Sequence, residues 1–130
     1  MRRTLQIVLL MAFAGSAAAS SDFEQAFEVS KADALNPEYR GWYLMTMRPA
    51  FSDLFHELLG ECAPLQPEAL RDFGLVFTVS MKGQVGKIFW KKQDPVTKCM
   101  DARLKAATFP VAPKEEFFFG LQGSLLGGKA

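Results

Sequence analysis

Two cysteines, Cys62 and Cys99, carry the clearest chemistry in this sequence of 130 residues. The N-terminal pattern described below predicts export, and the two thiols of an exported protein meet an oxidising environment, where they most often pair as a disulfide. The alternatives are free thiols and a metal site, but a zinc site needs four ligands and His56 is the only histidine. We therefore predict a Cys62–Cys99 disulfide. Closing a loop of about 38 residues should stabilise the fold by roughly 4 kcal/mol in the chain-entropy model.

The other groups that could perform catalysis lack the partners that catalysis requires. An enzyme needs a nucleophile or an acid–base pair whose members are held together. His56 falls off the apolar side of its predicted helix and should be solvated. Two pairs of glutamates could act as paired carboxylates: Glu57 with Glu61, and Glu115 with Glu116. A solvent-exposed helix face explains the first pair more simply, and the charged start of a strand explains the second. We predict no catalytic residue and no enzyme activity.

Met45 and Met47 raise the question of a copper site, because exported proteins use thioether ligands for Cu(I). Two residues that are two positions apart do not share a face of a helix. Methionine is also a common core residue, so ordinary packing explains both side chains. We predict no metal and no cofactor.

The N-terminus has the pattern of a cleavable secretory signal peptide at residues 1–19. Arg2 and Arg3 precede an apolar run that ends in small residues up to Ala19. The stretch from Leu5 to Ala19 has 15 residues, fewer than the roughly 20 of a spanning helix. We predict export to the periplasm without stable membrane insertion.

The chain that remains after cleavage has 111 residues, enough for one modest core and too few for two domains. It holds 13 basic and 14 acidic residues, because two arginines are removed, so its net charge is −1. That balance does not favour nucleic acid or an anionic membrane as a partner. Lys87, Lys91, Lys92 and Lys98 form a small basic cluster, which we interpret as a charged sheet edge that discourages aggregation.

Periodic patterns divide the mature chain into three parts: an N-terminal helical segment at 20–50, an α+β domain at 51–122 and a flexible tail at 123–130. The helical pattern of the first part is weak before Asn36. Asn36 and Pro37 then predict the start of a helix, and Pro49 predicts its end or a kink.

Two amphipathic helices frame the domain. The first begins near Phe51 and has a complete apolar stripe that includes Cys62. The second starts at Asp94 and Pro95 and places Cys99 on its apolar side. Both cysteines therefore face the same core, which supports the predicted disulfide.

The stretch 73–92, FGLVFTVSMKGQVGKIFWKK, predicts a β-hairpin with Lys82-Gly83 at the centre of its turn. This register gives one almost wholly apolar face with the following pairs: Leu75 with Trp90, Phe77 with Ile88, Val79 with Gly86, and Met81 with Gln84. Gly86 would leave room for a helix to approach that face.

A third strand, at about 116–122, follows the second helix. A strand that follows a crossover helix runs parallel to the strand before that helix, so an all-antiparallel sheet would place the third strand beside the first. The predicted fold class is therefore α+β, with helices packed in a second layer on one face of a three-stranded antiparallel sheet.

Val76, Phe89 and Phe118 should form an apolar row on the other face of this sheet, and we take them as a candidate binding surface. Aromatic residues of the N-terminal segment are the first candidates to cover this row: Phe23, Phe27, Tyr39, Trp42 and Tyr43. A partner chain, a second copy of this chain, or modest exposure are the alternatives.

The run GLVFTVSMKGQVGKIFW, a following helix with Cys99, the sequence FPV at 109–111 and a final aromatic strand together resemble the C-terminal domain of TonB. The similarity is closer still to the TonB-like domains of the gliding-motility AgmX and PglI type, in which a cysteine before the first strand and another in the second helix recur. It covers residues 51–122. The resemblance implies the fold and peptide binding at a sheet edge. We see neither the spanning anchor nor the long proline-rich linker of TonB, so we do not expect energy transduction.

The expected function is therefore that of a secreted or periplasmic binding or scaffold module, which recruits a peptide or protein by strand addition. A homodimer through a sheet edge is a related alternative. An alternative of a different class is a small envelope enzyme or enzyme inhibitor that uses polar and aromatic residues of the N-terminal segment: Tyr39, Arg40, Trp42, Tyr43 and Arg48.

Overall fold

The structure, a computed structural model, describes residues 19–126 and the side chains of residues 22–126. The predicted signal peptide, apart from Ala19, and the end of the predicted tail at 127–130 lie outside the described residues. Within the described range, no helix has the length and apolar character needed to cross a membrane.

Helices and strands follow one another in the predicted order. The helices are α1 (Ala19–Leu35), α2 (Pro37–Trp42), α3 (Arg48–Cys62) and α4 (Pro95–Lys105). The strands are β1 (Phe73–Val79), β2 (Val85–Trp90) and β3 (Phe117–Gly123). A π-helical turn at Tyr43–Met47 joins α2 to α3, and short 3-10 helices occupy Ala63–Leu65 and Pro67–Asp72.

The sheet has the order β2-β1-β3, and both pairings are antiparallel. The third strand lies beside the first, as the crossover through α4 predicts. Helices α3 and α4 pack on the face that carries Leu75 and Phe77, which we call the inner face. The predicted α+β class, with helices on a three-stranded antiparallel sheet, is confirmed.

Aromatic rings and a disulfide hold the inner face together. The ring centroid of Phe51 in α3 lies 5.7 Å from that of Phe77 and 4.7 Å from that of Phe119. Cys62, at the end of α3, is fully buried and is bonded to Cys99 of α4, with the two Cα atoms 5.6 Å apart. The predicted disulfide is therefore confirmed, and it links the two helices of this layer.

The helical path between α2 and α3 continues through Pro49 instead of ending there. Asn36 caps α2 as predicted, because its Oδ1 accepts a hydrogen bond from the Glu38 N–H at 2.9 Å. Pro49 lies in the first turn of α3, directly after the π-helical turn, in which the Arg48 N–H donates to the Tyr43 carbonyl. The wider π turn accommodates a proline ring that would clash with the preceding carbonyl in a regular helix.

The middle of the hairpin keeps the predicted pairing. Leu75 lies opposite Trp90 and Phe77 lies opposite Ile88. On the other side of β1, Phe77 lies opposite Phe119 of β3. All residues of β1 are buried, because it is the central strand and is covered on both faces.

The turn of the hairpin departs from the prediction. The loop has three residues rather than two, because the Ser80 N–H donates to the Gln84 carbonyl at 2.9 Å. Gly83 supplies a positive φ of 78°, as a three-residue loop of this kind requires. Val79 consequently pairs with Val85, and the predicted pairs of Val79 with Gly86 and Met81 with Gln84 are wrong.

A β-bulge restores the register after this loop. Gly86 and Lys87 of β2 share one opposite residue, Thr78, whose Oγ1 accepts a hydrogen bond from the Lys87 N–H at 2.9 Å. A Cβ at position 86 would lie 2.8 Å from this hydroxyl oxygen. Gly86 therefore makes room for Thr78, and the predicted approach of a helix at this glycine is wrong.

Helix α1 forms a third layer on the opposite face of the sheet, which we call the outer face. Phe23 and Ala26 of α1 are buried against Val76 of β1. A Cβ at Gly120 of β3 would collide with the Ser30 hydroxyl of α1, so only glycine permits this close approach. The N-terminal segment is thus an integral layer of the fold.

The chain after β3 stays in contact with the domain as far as it is described. The Leu125 N–H donates to the Leu70 carbonyl at 2.8 Å. The side chains of Leu125 and Leu126 pack against the inner core. The described part of the predicted tail at 123–130 is therefore held by specific contacts.

Candidate functional site

Helix α1 largely covers the predicted binding surface of Val76, Phe89 and Phe118. Val76 is fully buried against Phe23. Phe89 and Phe118 are half-buried, and their ring centroids lie 6.3 Å apart. With α1 in place, a partner on this face could contact Phe89 and Phe118 but not Val76.

Only two of the five aromatic residues predicted to cover the outer face do so. Phe23 and Phe27 of α1 lie on this face, with their ring centroids 5.9 Å apart. The chain passes to the inner side after Asn36, so the prediction is wrong for the rest. The remaining residues pack against the inner-face ring of Phe117: Tyr39, Trp42 and Tyr43.

The charged members of the alternative N-terminal site, Arg40 and Arg48, are both exposed. Arg48 lines an open groove of about 320 Å³ beside β3, together with Tyr43 and Phe51. This groove brings together two of the five residues in question. Among residues 22–126, no hydrogen bond or ion pair engages either guanidinium group.

The β3 edge of the sheet is closed near its start by Asp33 of α1. The Phe118 N–H points away from β1 and donates to Asp33 Oδ2 at 3.0 Å. Asp33 Oδ1 accepts a hydrogen bond from Lys114 Nζ at 2.8 Å, and the Asp33 side chain is only 8% exposed. The same ammonium lies 5.5 Å from the centroid of the Tyr39 ring. An added strand could pair at Phe118 only by displacing this carboxylate.

The β2 edge is open. The Lys91 N–H donates to the Gly74 carbonyl at 3.0 Å. The alternation of an antiparallel ladder therefore directs the N–H and C=O groups of Ile88 and Trp90 away from β1. In the described part of the chain, no hydrogen bond outside the sheet ladder engages these groups. The edge thus offers two residues, each with a donor and an acceptor, to an extended chain.

Two grooves flank this open edge. The groove on the inner side has a volume of about 370 Å³ and lies between β2 and α4. Ile88 and Trp90 line it from the strand, and Lys98, Asp101 and Lys105 line it from the helix. The Trp90 indole N–H donates to Asp101 Oδ1 at 2.8 Å, which fixes both side chains.

The groove on the outer side is smaller, about 200 Å³, and lies between α1 and the sheet. Its apolar lining comes from Ala26, Val29, Phe89 and Phe118. Val29 is 40% exposed. Because side chains alternate between the two faces of a strand, a strand added at β2 would direct side chains towards both grooves.

Five lysines lie on or near β2 and the adjoining face of α4: Lys87, Lys91, Lys92, Lys98 and Lys105. Three of them form ion pairs: Lys87 with Glu116 at 3.3 Å, Lys91 with Asp72 at 2.6 Å, and Lys105 with Asp101 at 2.9 Å. The hydrogen bond from Lys91 lowers the pKa of the Asp72 carboxyl group. Lys92 and Lys98 have no ion-pair partner among the described residues, so positive charge remains in excess.

The residues considered for metal binding do not come together. His56 is exposed, as predicted. Met47 is fully buried whereas Met45 is 78% exposed, so the two thioethers point to different surroundings. In the described range, no group of three or more His, Cys, Asp or Glu side chains could hold a metal ion.

Three of the four glutamates considered as paired carboxylates form surface ion pairs. Glu57 and Glu61 on α3 both contact Arg103 of α4, and the hydrogen bond that Arg103 donates to Glu61 raises the pKa of this guanidinium group. Glu116 pairs with Lys87. These contacts match the interpretation of the glutamates as solvated surface groups.

Sequence reasoning missed Asp33 and Lys114, which close the β3 edge. Asp33 follows Phe23, Ala26 and Ser30 at helical spacing, so it lies on the buried side of α1. An acidic residue in the buried stripe of a helix needs a partner, and that was the available signal. Its partners could not be named without the fold.

Comparisons of this chain with protein-family models, curated protein sequences and solved structures find no match. The resemblance to the C-terminal domain of TonB therefore stays a prediction that rests on the residues quoted for it. What the protein does must be inferred from its own geometry.

Proposed function

We propose that this protein is a secreted or periplasmic, non-enzymatic binding or scaffold module, which recruits a peptide or protein segment by strand addition at the β2 edge. One observation carries the proposal: Ile88 and Trp90 present backbone groups between two grooves, and within residues 19–126 these groups have no hydrogen-bond partner. In strand addition, main-chain hydrogen bonds supply affinity and side-chain pockets supply specificity. The β2 edge offers both, whereas Asp33 obstructs the β3 edge at Phe118.

The signal-peptide pattern at residues 1–19 supports the periplasmic part of the proposal. The Cys62–Cys99 disulfide agrees with it, because disulfides persist in oxidising compartments. Fractionation of cells that express the full chain, followed by N-terminal sequencing, should find a periplasmic protein that begins at Ser20. An uncleaved cytoplasmic protein would refute this part.

The resemblance to TonB-like domains belongs to the same proposal. Its support is the order of helices and strands together with a cysteine in each of the two inner helices, α3 and α4. The proposed binding mode does not depend on it, because the open edge is a property of this chain.

The strand-addition proposal can be tested with a displayed library of random heptapeptides, selected on the oxidised mature protein. Selected peptides should slow amide hydrogen exchange at Ile88 and Trp90, because these N–H groups would donate to the added strand. Binders that protect only helical amides, or only the groove beside Arg48, would contradict the proposal.

A matched pair of variants at Ile88 separates backbone pairing from side-chain contact. Both Ile88→Ala and Ile88→Pro remove the isoleucine side chain, but only the proline variant also removes the N–H. Since this N–H points away from β1, proline breaks no bond of the native ladder. The proline variant should bind a selected peptide about tenfold more weakly than the alanine variant. Equal affinities would show that the peptide does not pair with β2.

A further inference from the structure

We propose, resting on the strand-addition function above, that the β2 edge selects an acidic extended segment of a partner protein. Its acidic side chains would face the inner groove, beside Lys98 and Lys105, and an aliphatic or aromatic side chain would enter the outer groove. The ligand class is thus a strand in which acidic and apolar residues alternate.

The alternation follows from the position of the two grooves on opposite faces of one edge. Ile88 and Trp90 belong to the inner face, where the lining from α4 carries two lysines and one aspartate. Phe89, between them, belongs to the outer face, where the lining beside it is mostly apolar. Successive residues of an added strand would meet these two surroundings in turn.

The charge of the inner groove favours carboxylates. Lys98, Asp101 and Lys105 lie three and four positions apart on α4, so they share a face of that helix. Asp101 is already engaged by Lys105 and by the Trp90 indole, whereas Lys98 has no ion-pair partner among residues 22–126. Lys98 is also exposed, so an incoming carboxylate can reach it.

The same charge disfavours a second copy of this chain as the occupant. Antiparallel pairing of two β2 edges would bring the lysines of both copies together, and like charges opposite one another destabilise a sheet. A partner segment of opposite charge removes this repulsion and gains complementary contacts. The homodimer through a sheet edge is therefore an outcome to be tested against the acidic partner.

The test uses three blocked heptapeptides in which valine alternates with glutamate, serine or lysine. Each is titrated into the oxidised mature protein at low ionic strength, with affinity and amide protection at Ile88 and Trp90 as readouts. The glutamate peptide should bind about fivefold more tightly than the serine peptide, and the lysine peptide most weakly. Salt should reduce this preference, because it screens exposed charges.

Lys98→Glu should abolish the preference for the glutamate peptide while leaving the serine peptide bound. Lys31→Glu is the control for charge: it makes the same change of charge on α1, away from β2, although it also removes the exposed ion pair between Lys31 and Glu28. The control should retain the preference of the wild type.

The readouts distinguish a failure of the proposed charge selection from a failure of strand addition itself. Protection of Ile88 and Trp90 with equal affinity for all three peptides would overturn the charge selection and leave strand addition intact, with the lysines serving only to deter aggregation. No protection by any peptide would overturn both proposals. A dimer in sedimentation experiments that Ile88→Pro dissociates and Ile88→Ala does not would overturn the acidic partner in favour of a second copy.

Discussion

The two edge strands of this small sheet are protected in different ways. Helix α1 lies close over β3, and its Asp33 caps the Phe118 N–H. Among the residues that the structure describes, no helix or side chain caps the N–H groups of Ile88 and Trp90 in β2, and lysines surround this strand instead. An unpaired edge invites association, and natural proteins block it either by covering it or by charging it. The cap on Phe118 blocks any added strand at that position, whereas charge excludes only strands of the wrong charge.

The largest expected effect is a loss of global stability on removal of the disulfide, which should affect both sheet edges alike. Replacing Cys62 and Cys99 by serine should lower the free energy of unfolding by about 4 kcal/mol, mainly because the unfolded chain loses its constraint. Urea denaturation of the variant and the oxidised wild type measures this difference. The contrast in amide exchange between the two edges should persist in the folded variant. If only the amides of β2 and α4 lost their protection from exchange, the disulfide would instead stabilise α4 locally.

Removing the Asp33 carboxylate should leave the Phe118 N–H at the β3 edge without an acceptor, like the N–H groups of Ile88 and Trp90 at the β2 edge. Asp33→Ala leaves the Phe118 N–H without its acceptor and Lys114 without its ion pair, so we expect a loss of about 2 kcal/mol in unfolding free energy. Asp33→Asn keeps an oxygen acceptor and should lose about half as much. Urea denaturation checks both values, and unchanged stability in the alanine variant would show that Asp33 does not hold α1 to β3.

The smallest effect concerns the ion pair at the end of β2. The folded pKa of Asp72 lies below its ordinary value of 3.8, because Lys91 donates a hydrogen bond to the carboxylate. Its stabilising contribution is therefore fully present above the ordinary value and disappears as the pH falls through the folded pKa. The melting temperature of the wild type should exceed that of Asp72→Asn slightly at neutral pH, and this difference should disappear as the pH falls through the folded pKa of Asp72. A difference that is independent of pH would contradict the ion pair.

Side-chain periodicity predicts the inner half of this fold well. The stripe from Phe51 to Cys62 and the cap at Asp94 locate α3 and α4, and they bring the two cysteines to one core. The pairs of Leu75 with Trp90 and Phe77 with Ile88 follow from the alternation of apolar residues. These features can be predicted because large apolar side chains repeat at the period of a helix or of a strand.

The outer half is harder to predict, because small and polar residues build it. The turn depends on the Ser80 side chain, which accepts hydrogen bonds from the N–H groups of Lys82 and Gln84, and Gly83 suits loops of either length. Helix α1 approaches β3 through Gly120 and is tied to it by Asp33. Neither contact has an apolar period. The open edge at β2 depends on strand order and hydrogen-bond direction, which only the assembled sheet defines.

Amide hydrogen exchange, followed residue by residue in the oxidised and ligand-free protein, compares the two edges most directly. The N–H groups of Ile88 and Trp90 should exchange nearly as fast as in an unfolded peptide, because no group in the described part of the chain accepts a hydrogen bond from them. The Phe118 N–H should be protected at least about a hundredfold by its bond to Asp33. Equal protection at all three positions would contradict the claim that the β2 edge is open at Ile88 and Trp90 while the β3 edge is closed at Phe118.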